Sequence, residues 1–360
     1  MDGSLAWAVL LALGAVGSFA ADNTQAKPPK NPPTAPPVAG EDSLNIEVLK
    51  TLDNTIGGGY VRLEGRSLFL TSNLDPKAQR AGFWFDVEPD PAAPVLLNKS
   101  LPGAWDVAVA ADHAFVCDYT QVLTVFDLRD HQWRQVAELK MPSMTENITI
   151  RGTLAYIANH SAGLTIVDIA DPAKPAIVST LNPHIDCDGL ALWKDCAVLY
   201  AHWESRLVLV DITDPAKPRQ TGTYQHDKGS FNQGEVTVDG GFAYCTSNNG
   251  LVIVSITDPA NPKLVKTVDI KGGIRDVAVM DGYAFLAAGG SGIRVIDVSD
   301  PANPTEVGRY TRCQVSELAV LRAPQAQDAG KSPASYTLYA ATWPAQILRF
   351  LPPVRVGAAR

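Results

Sequence analysis

Short apolar runs alternate along most of the chain with clusters of Gly, Pro, Asn and Asp, the pattern of strands separated by turns. The runs are copies of one unit. GLTIVDIADPAKPAIVSTL (163–181), RLVLVDITDPAKPRQTGTY (206–224), GLVIVSITDPANPKLVKTV (250–268) and GIRVIDVSDPANPTEVGRY (292–310) share one pattern, and GFWFDVEPDPAAPVLLNKSL (82–101) and VLTVFDLRDHQWRQVAELK (122–140) are weaker copies. Two further β-type runs precede each copy, such as IRDVAV and YAFLAAG, or NITI and LAYIANH. Each unit is therefore four strands, A (inner) to D (outer); in the sixth they fall at 274–280, 283–288, 293–299 and 305–311. A four-strand period of about forty residues is the signature of a propeller blade.

The seventh unit has A at 315–321, B at 336–342 and C at 347–351, and no D. IEVLKTL (46–52) matches the D pattern of PAIVSTL and belongs to no earlier unit. The expected fold is all-β: a seven-bladed β-propeller over 45–360, with four-stranded blades and an N-terminal strand completing the last, so that no raw edge remains.

Composition adds material for a core, with 46% hydrophobic and 19% charged residues; 26 Pro and 28 Gly supply turns and speak against long helices. A net charge of -8 with no basic run argues against a nucleic-acid partner. The apolar stretch LAWAVLLALGAVG, followed by Ser18, Phe19 and Ala20, reads as a signal peptide over 1–20, with a signal anchor as the alternative. Residues 21–44 are Pro-rich, lack the apolar groups needed to fold, and are expected to be disordered. These features imply a secreted or secretory-pathway protein that leaves the membrane once the signal is removed. Of three sequons, Asn98 on an outer strand is the better glycan acceptor and Asn159 the second, while Asn147 is expected inside the channel and unmodified. Five cysteines, none in an obvious cross-strand pair, give no disulfide expectation.

Positions alike in every copy build the scaffold. Asp171, Asp214, Asp258 and Asp300 of the Asp-Pro turns, and Asp86, Asp127, Asp168, Asp211 and Asp297 ending strand C, read as turn caps. Ala108, Thr149, Ala191, Thr237, Ala278 and Ala319 in mid-strand A suit the narrow end of a wedge.

Positions that differ between copies, on loops at one end of the ring, are free to form a site. The end of strand B reads Asp118, Asn159, His202, Thr246, Ala288 and Thr342, followed by Tyr119, His160, Trp203, Ser247, Gly289 and Trp343. His160, His202 and Tyr119 are the candidate catalytic groups; Asp118, Trp203 and Trp343 are candidate substrate contacts. A second ring opens strand A: Tyr60, Asp106, Asn147, Gly189, Glu235, Asp276 and Glu317. Its four carboxylates, Asp106, Glu235, Asp276 and Glu317, are candidates for cation binding or acid–base work, against the alternative of a polar channel lining. No phosphate loop, hydrolase elbow or zinc spacing is present, so neither cofactor nor metal is expected, and the expected partners are small molecules in a pocket on one face.

The pattern in GLTIVDIADPAKP and GLVIVSITDPANP resembles the LVIVD-repeat family of extracellular propellers over about 45–352. That resemblance implies the fold and says little about activity. A one-domain propeller with a signal peptide and sequons also resembles the fungal hetero-Diels-Alderases of tropolone-sesquiterpenoid biosynthesis. It implies a cofactor-free intermolecular cycloaddition joining a tropolone-derived quinone methide to a humulene-type sesquiterpene, with no catalytic motif to carry over. Holding two partners in a reactive pose is worth up to about 7–11 kcal/mol, and His160, His202 or Tyr119 would donate to the quinone methide carbonyl. The alternatives are a non-catalytic module binding protein or glycan on the same rim, and a glycan-cleaving enzyme using Glu235 and Asp276.

Overall fold

The computed structural model describes residues 42–53, 56, 59–72, 81–101, 104–323 and 335–353. The expected signal peptide and residues 21–41 of the Pro-rich segment lie outside these. The described residues form seven antiparallel sheets, six of four strands and one of four with a two-residue strand added at its edge, and no helix. Six blades are continuous in sequence: 61–101, 106–140, 147–181, 189–225, 231–269 and 276–310. Blade seven consists of Leu318–Arg322, Tyr336–Ala340 and Gln346–Phe350, closed by Ile46–Thr51 as its outer strand.

The closing strand pairs Ile46 with Phe350 and Thr51 with Gln346, with a register shift between Val48 and Lys50. The same shift recurs between strands C and D of blades three to six, where a bulge increases the twist of the outer strand. Ile46, 5% exposed, packs with Phe285, Val295, Leu338, Leu348 and Phe350 at the junction of blades six and seven. Ile46→Ala should therefore lower stability by about 2–4 kcal/mol in urea denaturation, as for other buried apolar truncations. A change under about 0.5 kcal/mol, the size of a surface substitution, would show that the ring is not closed this way. Just before this strand, Ser43–Leu44, the end of the segment expected to be disordered, pair with Tyr310 and Arg309 on the outer edge of blade six.

Each sheet is buried on both faces by its neighbours, which is why strand B reads as an unbroken apolar run. In Cys196–Ala201, Ala197 and Leu199 pack toward blade three while Val198 and Tyr200 pack toward blade five. The repeated aspartates act as turn caps: Asp168, Asp211 and Asp297 accept the N–H groups of Ala170, Thr213 and Ser299 at 2.9–3.0 Å. Asp171, Asp214, Asp258 and Asp300 do the same one turn later. These turns reach the preceding blade: Ser179 Oγ donates to Pro215 O at 2.6 Å. At Gly222 a Cβ would lie 2.2 Å from Pro259 O, so only glycine allows that approach.

Candidate functional site

The residues that open strand A meet at the mouth of the channel, where a cavity of about 200 Å³ is lined by Tyr60, Arg62, Trp105, Asp106, Glu235, Asp276 and Glu317 among others. Most of the carboxylates there bind backbone rather than face an empty site. Asp106 accepts from Val107 N and, across the blade boundary, from Ile148 N at 2.9 Å. Asp276 accepts from Val277 N and from Leu318 N of blade seven at 2.8 Å, and Glu317 accepts from Val61 N of blade one at 2.9 Å. Asn147 continues the series by accepting from Leu190 N at 3.2 Å. Asp106, Asp276 and Glu317, expected as cation or acid–base candidates or as a polar channel lining, link adjacent blades, because the mouth is where strand-A N–H groups of adjacent blades lack a sheet partner.

Arg62 is the cation of this ring. Its Nε lies 3.6 Å from Asp106 Oδ1 and 3.1 Å from Glu64 Oε1, and its Nη1 lies 3.8 Å from Glu235 Oε2. Asn147 Nδ2 donates to Asp106 at 2.9 Å and to Glu235 at 3.3 Å. One guanidinium does not neutralise four carboxylates. Burial, opposed by Arg62, pushes Glu235 up to about 8, and burial pushes Asp276 up to about 6 against its two backbone bonds. Burial, with Asp276 and Glu235 nearby, pushes Glu317 well above the usual range.

The rim outside the channel brings a second set together. Backbone bonds between blades position it: Tyr119 N donates to Thr145 O at 3.1 Å, and His160 and Cys187 exchange N–H···O bonds at 3.0–3.1 Å. Tyr119 is thereby set beside Glu146, and His160 beside Asp186. Ring centroids run Tyr60–Trp105 at 4.7 Å, Trp105–Tyr119 at 5.1 Å and Tyr119–His160 at 6.5 Å. His202 lies 4.6 Å from Trp203 on blade four. Trp203 is 71% exposed and Tyr119 42%.

Carboxylates stand between the two aromatic groups. His160 Nδ1 is 3.4 Å from Asp186 Oδ1 and its Nε2 is 3.8 Å from Glu146 Oε1. Asp188 Oδ2 accepts from His202 N at 2.9 Å and from its Nδ1 at 2.6 Å. Burial first, then Asp188 and Asp186, push Glu146 up to about 9, so it is a neutral carboxyl at pH 7. Tyr119 is raised by burial and by Glu146, Asp188 and Asp186.

The structure joins Tyr119, His160, His202 and Trp203 into this face and leaves other candidates out. Asp118 caps its own turn, accepting from Thr120 N at 3.1 Å. Trp343, half-buried on blade seven, makes no ring contact with the strip. Asn159, expected as the second glycan acceptor, is fully buried, its amide donating to Ser143 O and Met144 O. Asn98 is half-buried and donates to His131 O. Trp105, Glu146, Asp186, Asp188 and Glu204 are the rim residues that sequence reasoning missed. The signal lay one position before the ring: Trp105, Glu146, Asp188, Arg275 and Ser316 precede ring residues and are unlike one another. Arg62 occupies the strand-A position that is Ala or Thr in the other six blades.

His160 stands out further by its backbone. Blade six closes its equivalent turn with Gly289 at φ 51°, and blade three places His160 there at φ 40°, with Tyr119 at 64° in blade two. A non-glycine residue in this region is strained, and such residues cluster at functional sites.

Segments 142–182, 199–226, 232–270 and 271–312 match the LVIVD repeat model. The propeller carries LVIVD repeats. They span blades three to six. No curated protein sequence matches the chain. Among solved structures it is similar to the WD40 domain of Toxoplasma gondii coronin, with a TM-score of 0.61 and 10% identity over 89% of this chain and 87% of that one. It is similar to Saccharomyces cerevisiae Sqt1 at 0.59 and 9% identity, over 88% of this chain and 100% of that one. The Pseudomonas aeruginosa periplasmic gluconolactonase PpgL matches at 0.57 and 13% identity, over 70% and 86%. At these identities the likeness is one of fold.

Proposed function

We propose that this LVIVD-repeat propeller is a secreted small-molecule-binding protein whose site is the rim of blades one to four. The observation that carries the reading is the aromatic strip Tyr60–Trp105–Tyr119–His160, which faces His202 and Trp203 across Glu146, Asp186 and Asp188. Ring faces with a few placed polar groups are what an organic ligand requires. The rim also has the means of proton transfer. With Nδ1 donating to Asp188, Nε2 of His202 is the basic nitrogen, and neutral Glu146 beside Asp188 is the matching acid.

Cycloaddition of a quinone methide with a humulene-type alkene would use the same strip, with Tyr119 or a histidine donating to the carbonyl. The local charge opposes that reading, because electron density gathers on the carbonyl oxygen as the bonds form and the carboxylates of Asp188 and Asp186 lie near Tyr119. The channel does not help, since its cavity of about 200 Å³ falls below the roughly 300–1,000 Å³ of ordinary ligand pockets. Glycan cleavage by Glu235 and Asp276 is opposed by the two backbone bonds that Asp276 already accepts.

A thermal-shift screen of a metabolite library on the wild type, Trp203→Ala and Glu235→Gln tests the proposal. At a ligand concentration of 100 Kd, binding stabilises by about 2.7 kcal/mol. Hits should act on the wild type and Glu235→Gln and be lost in Trp203→Ala. Hits that survive Trp203→Ala and vanish in Glu235→Gln would move the site to the channel.

A further inference from the structure

We infer that the rim takes an organic cation, an alkylammonium group held between the aromatic faces and the carboxylates; this rests on the rim being the binding site. Glu146, Asp186, Asp188 and Glu204 converge there, with Asp186 N donating to Glu204 Oε1 at 3.2 Å. Among the described residues no Lys or Arg lies within ion-pair distance of any of the four, and their basic neighbours are the imidazoles of His160 and His202.

A second observation is independent of the charge count. Glu146, only 5% exposed, keeps its Oε1 buried without a hydrogen-bond donor, as Glu204 does its Oε2. Buried acceptors are nearly always satisfied, so these oxygens mark where a donor is missing. An alkylammonium supplies N–H donors for them, positive charge for the carboxylates of Asp186, Asp188 and Glu204, and a cation for the negative faces of Tyr119 and Trp203. A metal ion meets these requirements poorly: it donates no hydrogen bond, and among the described residues no group of His, Cys, Asp and Glu is arranged to hold one. A neutral sugar would stack on the rings and leave the charge uncompensated.

Isothermal titration of the full-length protein at pH 7.5 with cyclohexylmethylamine and its neutral isostere cyclohexylmethanol separates these cases. The amine should bind at least tenfold more tightly, an advantage that falls as salt screens the charges. Asp186→Asn, a change at a side chain 39% exposed, should remove most of the advantage, and Trp203→Ala should weaken both ligands. Equal affinities would overturn the cation assignment, and if both were still lost in Trp203→Ala the rim would stand as the site. Binding of neither probe, or tighter binding of calcium than of the amine, would also overturn it.

Discussion

Raising the pH from about 5 to about 9 should lower the melting temperature by at least about 4 °C, the reverse of a protein held together by ionised salt bridges. Asp276, Glu235 and Glu146 have folded-state values near 6, 8 and 9, each above the ordinary carboxyl value. A group raised on folding contributes stability that is complete below its unfolded value and lost as pH rises through its folded value. The window therefore opens at about 3.8 for Asp276 and 4.5 for the glutamates and closes near 9. Each tenfold gain in proton affinity on folding corresponds to about 1.4 kcal/mol, but 39% of the Glu235 side chain is exposed to solvent, so its share is discounted. A loss of at least about 3 kcal/mol is the resulting expectation, most of it from the buried Glu146. On the acid side, Thr213 and Arg219 hold Asp211 down at about 2, and its contribution disappears as pH falls toward that value. Maximal stability should thus lie near pH 5, read by calorimetry across the range. A flat profile between about pH 5 and 9 would mean that the buried carboxyls titrate as they do in the unfolded chain.

The second large effect concerns the channel cation. Arg62→Met should cost about 3–5 kcal/mol near pH 9, where Glu235 is ionised, because it strips the compensating charge from Asp106 and Glu235 and leaves them buried together. Near pH 5 much of that loss should disappear, since Glu235 is then neutral and has less need of the guanidinium. Urea denaturation at both values reads the difference. An equal loss at the two would assign Arg62 to packing, through its aliphatic stem and its bond to Ile148 O, rather than to charge.

Much of the fold was legible because a blade cannot bury its faces alone, so the repeat itself is written into the chain. The closing strand was readable from IEVLKTL for the same reason: it had to offer the alternation of an outer strand. The carboxylate ring was legible, but its backbone partners were not. Nothing in one strand tells that Asp106 will reach Ile148 N or Asp276 reach Leu318 N, since those contacts depend on how neighbouring blades are staggered. Arg62 was hidden because the other six blades carry Ala or Thr at its position, and those small residues leave the space its guanidinium fills. On the rim, Tyr119, His160, His202 and Trp203 were legible as departures from the repeat. Glu146 and Asp188 stand just before strand A, on a different loop from the histidines, and meet the histidine of their own blade because Glu146 N donates to Ala158 O and Asp188 N to Tyr200 O.

The placement of function on the rim is tested most directly by a crystal structure of the protein with a screening hit bound. The ligand is predicted to lie across Trp105, Tyr119 and Trp203 with a polar group at Glu146. A ligand seated in the channel against Arg62 and Glu235, with the rim bare, would contradict it.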